Sequence, residues 1–143
     1  MRRTSDPDLL LLDTHVWLWL VAGSSELSIE ARNMIDRAVA GGSLRIAAIS
    51  LREIALLASR GRIVLGKSIG LWLEEALADP DPVIDPLGPQ IAIESHALPN
   101  AFHRDPADRL IVATARVTNA TLMTCDRRIL DYAARGHLSA IAP

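Results

Sequence analysis

DLLLLDTHVWLWLVA, residues 8–22, changes character at one acid. Before Asp13 stands a continuous aliphatic run of strand length, the pattern of a parallel strand buried on both faces. After it, HVWLWLVA reads as a short apolar helix. A strand that closes on an acid and passes straight into a helix is a βα unit, and whether that unit repeats decides the fold.

It does repeat. Ser28 is placed to cap a helix through about Ala40, stopped by Gly41 and Gly42, and LRIAAI (44–49) reads as a second strand. Ser50 is the expected cap of a helix to about Arg60. A helix over 69–78 is followed by the Asp/Pro-rich DPDPVIDPLGP, with a very short strand at Val83 and Ile84. Pro89 opens a helix through Ala97, and LPNAFHR is loop. Asp105 caps a helix with Pro106 at its first position; ATLMT is a strand ending at Asp126; the helix RRILDYAAR and a strand near LSAIA complete the chain. Alternating strands and helices joined by right-handed crossovers predict an α/β domain with a parallel sheet of four to five strands, covered on both faces. Residues 1–143 are read as one domain, with 1–7 as a flexible tail.

Half of the 143 residues are apolar, enough for a single core, and the lone Cys125, read as a small core residue, rules out a disulfide framework within the chain. Arg2, Arg3 and the apolar residues after them imitate a secretory leader, but Asp6, Asp8, Asp13 and His15 break the run into pieces too short for a bilayer. A cytoplasmic protein with no membrane association is expected. A net charge of −2 gives no bulk-charge argument for nucleic-acid binding, and the bias of 14 arginines to one lysine decides nothing.

GRIVLGKS, residues 61–68, fits the phosphate-binding pattern G-x-x-x-x-G-K-[ST] and raises a nucleotide-hydrolysing alternative over Gly61–Ser68. Its context argues otherwise. A phosphate cradle follows a strand, whereas helical periodicity precedes Gly61, and Arg62, Ile63, Val64 and Leu65 are too bulky for a backbone nest. Gly61 reads instead as the αL residue ending one helix, with Lys67 and Ser68 opening the next.

In a parallel sheet every strand-to-helix turn emerges at one edge, where ligands of open α/β folds bind. Four acids fall there: Asp13 and Asp126 directly after strands, Glu53 and Asp108 in first helical turns. Singly each has a structural explanation, since Glu53 lies three residues after Ser50 and Asp108 three after Asp105, the spacing of capping boxes. Together they repel unless a cation compensates, and hard oxygen donors in that number select Mg2+ or Mn2+. Such an ion beside a phosphodiester supports its hydrolysis by water. The four histidines, His15, His96, His103 and His137, are scattered and read as surface or packing residues. Thr14, Ser50 and Thr124 stand beside the acids as hydrogen-bonding supports, and Asp105 is chiefly a cap. Arg104, Arg109, Arg127 and Arg128 flank the acids as candidate phosphate contacts, with Arg109 equally placed to pair with Asp105 or Asp108.

LLDTHVWLWL, AISLREIALLASRGRI and HRDPADRLIVATARVTNATLMTCDRRIL together resemble the PIN-domain ribonucleases, in particular VapC-type toxins of bacterial toxin–antitoxin pairs. The likeness runs from about Leu9 to Ala142, and the block from His103 to Leu130 is its most specific part. It implies a three-layer α/β/α PIN-like fold and a Mg2+/Mn2+-dependent endoribonuclease that cleaves RNA, dimerises with itself and is restrained by a cognate antitoxin. By position it makes Asp13, Glu53, Asp108 and Asp126 the metal-binding, catalytic acids. Trp17, Trp19, Val21 and the helix from Ser28 would line a groove for the antitoxin. A catalytically idle PIN fold acting only as a protein-binding module is the remaining alternative.

Overall fold

The computed structural model describes residues 8–143, so the tail expected at 1–7 lies outside the described residues. Five strands and seven helices follow in the order β1 (Leu10–Leu12), α1 (Thr14–Ala22), α2 (Ile29–Ala40), β2 (Leu44–Ala47), α3 (Ala48–Ser59), α4 (Ile69–Ala78), β3 (Val83–Asp85), α5 (Pro89–His96), α6 (Pro106–Thr118), β4 (Thr121–Met123), α7 (Arg127–Ala134) and β5 (Ser139–Ile141). All strand pairs are parallel, in the order β3-β2-β1-β4-β5. The leucine run thus occupies the centre of the sheet.

Period-two alternation divides that run between two cores. Leu10 and Leu12, with Leu44, Ile46 and Met123, pack under α1, α2 and α4, around Trp17, Ile35 and Trp72. Leu11, with Ala47 and Leu122, faces Ile111, Val112 and Ala115 of α6 and Ile129 and Tyr132 of α7. Helices therefore cover both faces, giving three layers, and each fully buried leucine contributes about 2 kcal/mol. No helix among the described residues is long and apolar enough to cross a membrane.

The caps follow the expected chemistry at most helix starts. Ser28 and Ser68 accept from Ala31 N and Leu71 N, and Asp105 accepts from Ala107 N and Asp108 N, with Pro106 at the first position. Gly61 has φ +67°, the left-handed conformation expected just past α3.

Two details differ from expectation, and the reading of 61–68 as an inter-helix segment holds. β2 ends at Ala47, and α3 begins at Ala48 without a side-chain cap, so Ser50 lies inside the helix, fully buried, and caps nothing. This removes the capping-box reading of Glu53. Cys125 is exposed because it occupies the turn after β4, not the strand. The 61–68 segment joins two helices, and Lys67 Nζ pairs with Glu75 Oε2 at 2.5 Å on α4. A nucleotide cradle is excluded by that geometry.

Candidate metal centre

The carboxyl ends of the two central strands are tied together by backbone: Asp13 N donates to Met123 O at 3.0 Å. That bond sets the turn after β1 beside the turn after β4, and side chains complete the join. Thr124, fully buried, donates from Oγ1 to Asp13 Oδ2 at 2.6 Å and accepts from Asp126 N at 3.0 Å. Asp13 Oδ1 accepts from Thr14 N at 2.8 Å, starting α1, and Asp126 Oδ1 accepts from Arg128 N at 2.8 Å, starting α7. Thr14 Oγ1 donates to Ser50 Oγ at 2.9 Å, which fixes α3, the bearer of Glu53, against α1.

The third side of the site is the start of α6 and the loop before it. Asp108, Asp126 and His103 each present one ligand atom, all within 4.8 Å of one another. His103 Nε2 lies 3.3 Å from Asp108 Oδ2, buried and without a well-formed hydrogen bond. The Asp105 amide donates to His103 Nδ1 at 3.4 Å, which assigns the ring proton to Nε2 and turns it toward the Asp108 carboxylate. Reading His103 with the other histidines as surface or packing is therefore corrected. The signal available in the sequence was its place five residues before Asp108, in a loop that folds back on the start of α6. His96 and His15 are exposed, and His137 accepts or shares a proton with Asn100 Nδ2 at 3.0 Å against the Tyr132 ring.

Electrostatics mark the cluster as strained for charge. Burial, then the charges of Asp105, Asp13 and Asp126, push the Asp108 carboxyl up to about 7. Burial also raises Asp13, which is 8% exposed, against the opposing pull of the Thr124 hydrogen bond. Glu53 is raised by burial and then by the charge of Asp105, and like Asp13 it stands outside the tight group of His103, Asp108 and Asp126. Asp105 is thus both cap and neighbour of the cluster. Burial and then the Arg128 charge lower His103. Buried acids whose charges also oppose one another, with oxygen donors at one sheet edge, fit a hard divalent cation.

The arginines divide by task. Arg128 lies 3.8 Å from Asp108 Oδ2 and 3.7 Å from Asp126 Oδ1, so it bridges the two acids from solvent. Arg104 and Arg127 are exposed. Arg109 pairs with neither Asp105 nor Asp108: its Nε donates to Ser95 O at 2.8 Å and its Nη1 to Phe102 O and His103 O at 2.9 and 3.2 Å. It clamps the loop carrying His103 to α5, and the phosphate role expected for it is not the one these donors serve.

Away from the acids, a groove of roughly 840 Å3 runs between α1, the 61–67 segment and α4, lined by Leu18, Trp19, Val21, Ile63, Val64 and Trp72 among others. Trp19 and Val21 face it as expected. Trp17 does not, being wholly buried edge-on against Trp72 at 5.4 Å, and α2 contributes no lining residue.

Residues 10–135 match the PIN domain family. The chain is 41% identical over 123 residues to Ribonuclease VapC22 of Mycobacterium tuberculosis (strain ATCC 25618 / H37Rv), covering 86% of this chain and 91% of that protein. Among solved structures it resembles a chain of VapBC2 from Rickettsia felis bound to a promoter DNA fragment, with TM-score 0.69, 16% identity and coverage of 94% and 98%. A chain of DNA-bound VapBC from Salmonella typhimurium gives TM-score 0.67, 14% identity and coverage of 95% and 98%. At such identities the structures speak for the fold alone.

Proposed function

The chain belongs to the PIN-domain family, in its VapC branch, and from that membership we propose that it is a metal-dependent endoribonuclease, the toxin of a toxin–antitoxin pair. The observation that supports this most is the meeting of Asp108, Asp126 and His103 at one sheet edge, with Asp13 tied to the Asp126 backbone through Thr124. Asp13, Asp108 and Asp126, with Glu53 from α3, would hold Mg2+ or Mn2+. When bound, such an ion would supply the acidity that yields a hydroxide nucleophile near neutral pH and the positive charge that balances the phosphate.

The chain's own groups set the stage for that chemistry. Thr124 holds the Asp13 carboxylate and the Asp126 backbone together, and the Arg128 amide holds the Asp126 carboxylate. His103 turns its Nε2 proton toward Asp108, and Arg128 screens Asp108 and Asp126 from the solvent side. Arg127 and Arg128, both exposed at the start of α7, would be the contacts for an RNA phosphate. No side-chain nucleophile is required.

The groove beside α1 and α4 supports the partner assignment: its Trp19, Val21, Val64 and Leu65 walls suit an apolar segment of a cognate antitoxin, with Lys67, Glu75 and Asp79 at its margin. A homodimer and a cytoplasmic setting complete this reading. The test is hydrolysis of RNA by the purified chain with Mg2+ or Mn2+ and with EDTA, alongside Asp13→Asn and Asp126→Asn. Cleavage that requires the ion and disappears in both variants is expected. Cleavage in EDTA, or full activity in both variants, defeats the assignment.

A further inference from the structure

A second cleft, of roughly 500 Å3, opens on the other flank of the α6 N-terminus, between α6 and α5. Its walls are apolar, built from Leu87, Pro106 and Leu110, and its charged and titratable members are Arg104, Arg109 and His96; among the described residues no acidic side chain lines it. Pro106, Arg109 and Leu110 follow i, i+3, i+4 spacing on one face of α6, while Asp108 is turned toward the acid cluster. Arg104 and Pro106 stand on either side of Asp105, so the mouth of the cleft borders the cluster. An anion-free cleft beside an acid-rich, cation-seeking pocket is complementary to a polyanion that must cross from one to the other.

The chain's aromatic residues offer no stacking platform beside the acids. It has three tryptophans, one tyrosine and one phenylalanine. Trp17, Trp72, Phe102 and Tyr132 are buried, and Trp19 faces the groove between α1 and α4. None is free to stack a base beside the acids. Bases stack on arginine planes as well as on aromatic rings, and Arg104 is exposed above an apolar floor.

Resting on the endoribonuclease reading, we propose that the α5–α6 cleft is the subsite for a single-stranded RNA nucleotide adjoining the scissile phosphate. The base lies between the Arg104 guanidinium and the Leu87–Leu110 wall. The phosphate on that nucleotide lies against the exposed Arg104 guanidinium. Leu87, 55% exposed, is a residue whose change the fold tolerates.

The experiment measures binding of a short fluorescein-labelled single-stranded RNA of mixed sequence by anisotropy in EDTA, for wild type, Arg104→Ala and Leu87→Glu. Each substitution is expected to weaken binding about tenfold, the scale of one lost base-stacking contact. With Mn2+, the ratio of RNA hydrolysis to hydrolysis of a small activated phosphodiester should fall by a similar factor. Binding within about twofold of wild type in both variants overturns the subsite, as does a wild-type chain that binds no RNA. A change in sedimentation mass without loss of RNA affinity also overturns it, making the cleft a contact between copies. Loss of RNA affinity in the variants, when wild type hydrolyses neither substrate, upholds the subsite as an RNA site and removes the ribonuclease reading instead.

Discussion

Thr124→Val replaces a buried hydroxyl by a methyl of similar shape and strips two partners at once. Asp13 Oδ2 loses a 2.6 Å bond to a carboxylate that is 8% exposed, and Asp126 N loses its acceptor at 3.0 Å. A hydrogen bond to a charged group contributes about 1.5–3 kcal/mol and a neutral one about 1, so a net loss of about 3 kcal/mol is expected. For a chain of this size that lowers Tm by roughly 10 °C. Because the hydroxyl orients the carboxylate, divalent-ion affinity should fall by about 10- to 100-fold, read by calorimetric titration with Mn2+. Thr124→Ser, which keeps the hydroxyl, should retain most of both. A Thr124→Val protein with unchanged Tm and unchanged Mn2+ affinity would refute the claim that this bond organises the site.

Three further outcomes follow from the same geometry. Asp108, pushed up to about 7 from an ordinary value of 3.8, keeps a proton in the folded state that the unfolded chain has released, so its contribution to ion-free stability is full at low pH and declines as pH rises from about 4 to about 7. Asp108→Asn should remove that decline and stabilise the ion-free protein at pH 8 by about 2 kcal/mol, the unscreened ~4 kcal/mol being discounted for solvent at the open side of the site; equal denaturation midpoints for both proteins in EDTA at pH 8 would contradict it. Arg109→Ala should cost about 2–3 kcal/mol in urea unfolding through three orphaned carbonyls, with Arg109→Lys restoring only part because an ammonium lacks the guanidinium fork. Lys67→Ala breaks only an exposed pair with Glu75 and should change stability by less than about 1 kcal/mol, with RNA hydrolysis intact; ATP or GTP binding that vanishes in this variant would revive the phosphate-cradle reading.

The layering of this fold was readable because its cues are local. Leu10, Leu11 and Leu12 can only be buried on both sides, and Ser28, Ser68 and Asp105 announce helices within a few residues of themselves. Ser50 misled for the same reason: a serine before a helical pattern looks like a cap, yet Ala47 already ends β2 and the hydroxyl serves a partner 36 residues away. The acids at the strand ends were visible from topology alone. His103 and Arg109 were not, because their tasks depend on how the loop between α5 and α6 folds back, which no periodicity records. Trp17 and Trp72 form one edge-on pair although 55 positions apart, a partnership only the packed core reveals.

Asp13, Asp105 and Asp126 are helix-starting residues as well as members or neighbours of the acid cluster. An alanine at any of them removes a fold determinant together with a charge, so a silent alanine variant leaves open which of the two was needed. Asparagine separates the roles: its amide oxygen still receives the backbone N–H at the head of the helix while offering an ion no negative charge. A folded and chemically silent chain is therefore within reach of a one-atom change, which is the form in which a self-poisoning enzyme can be produced in quantity.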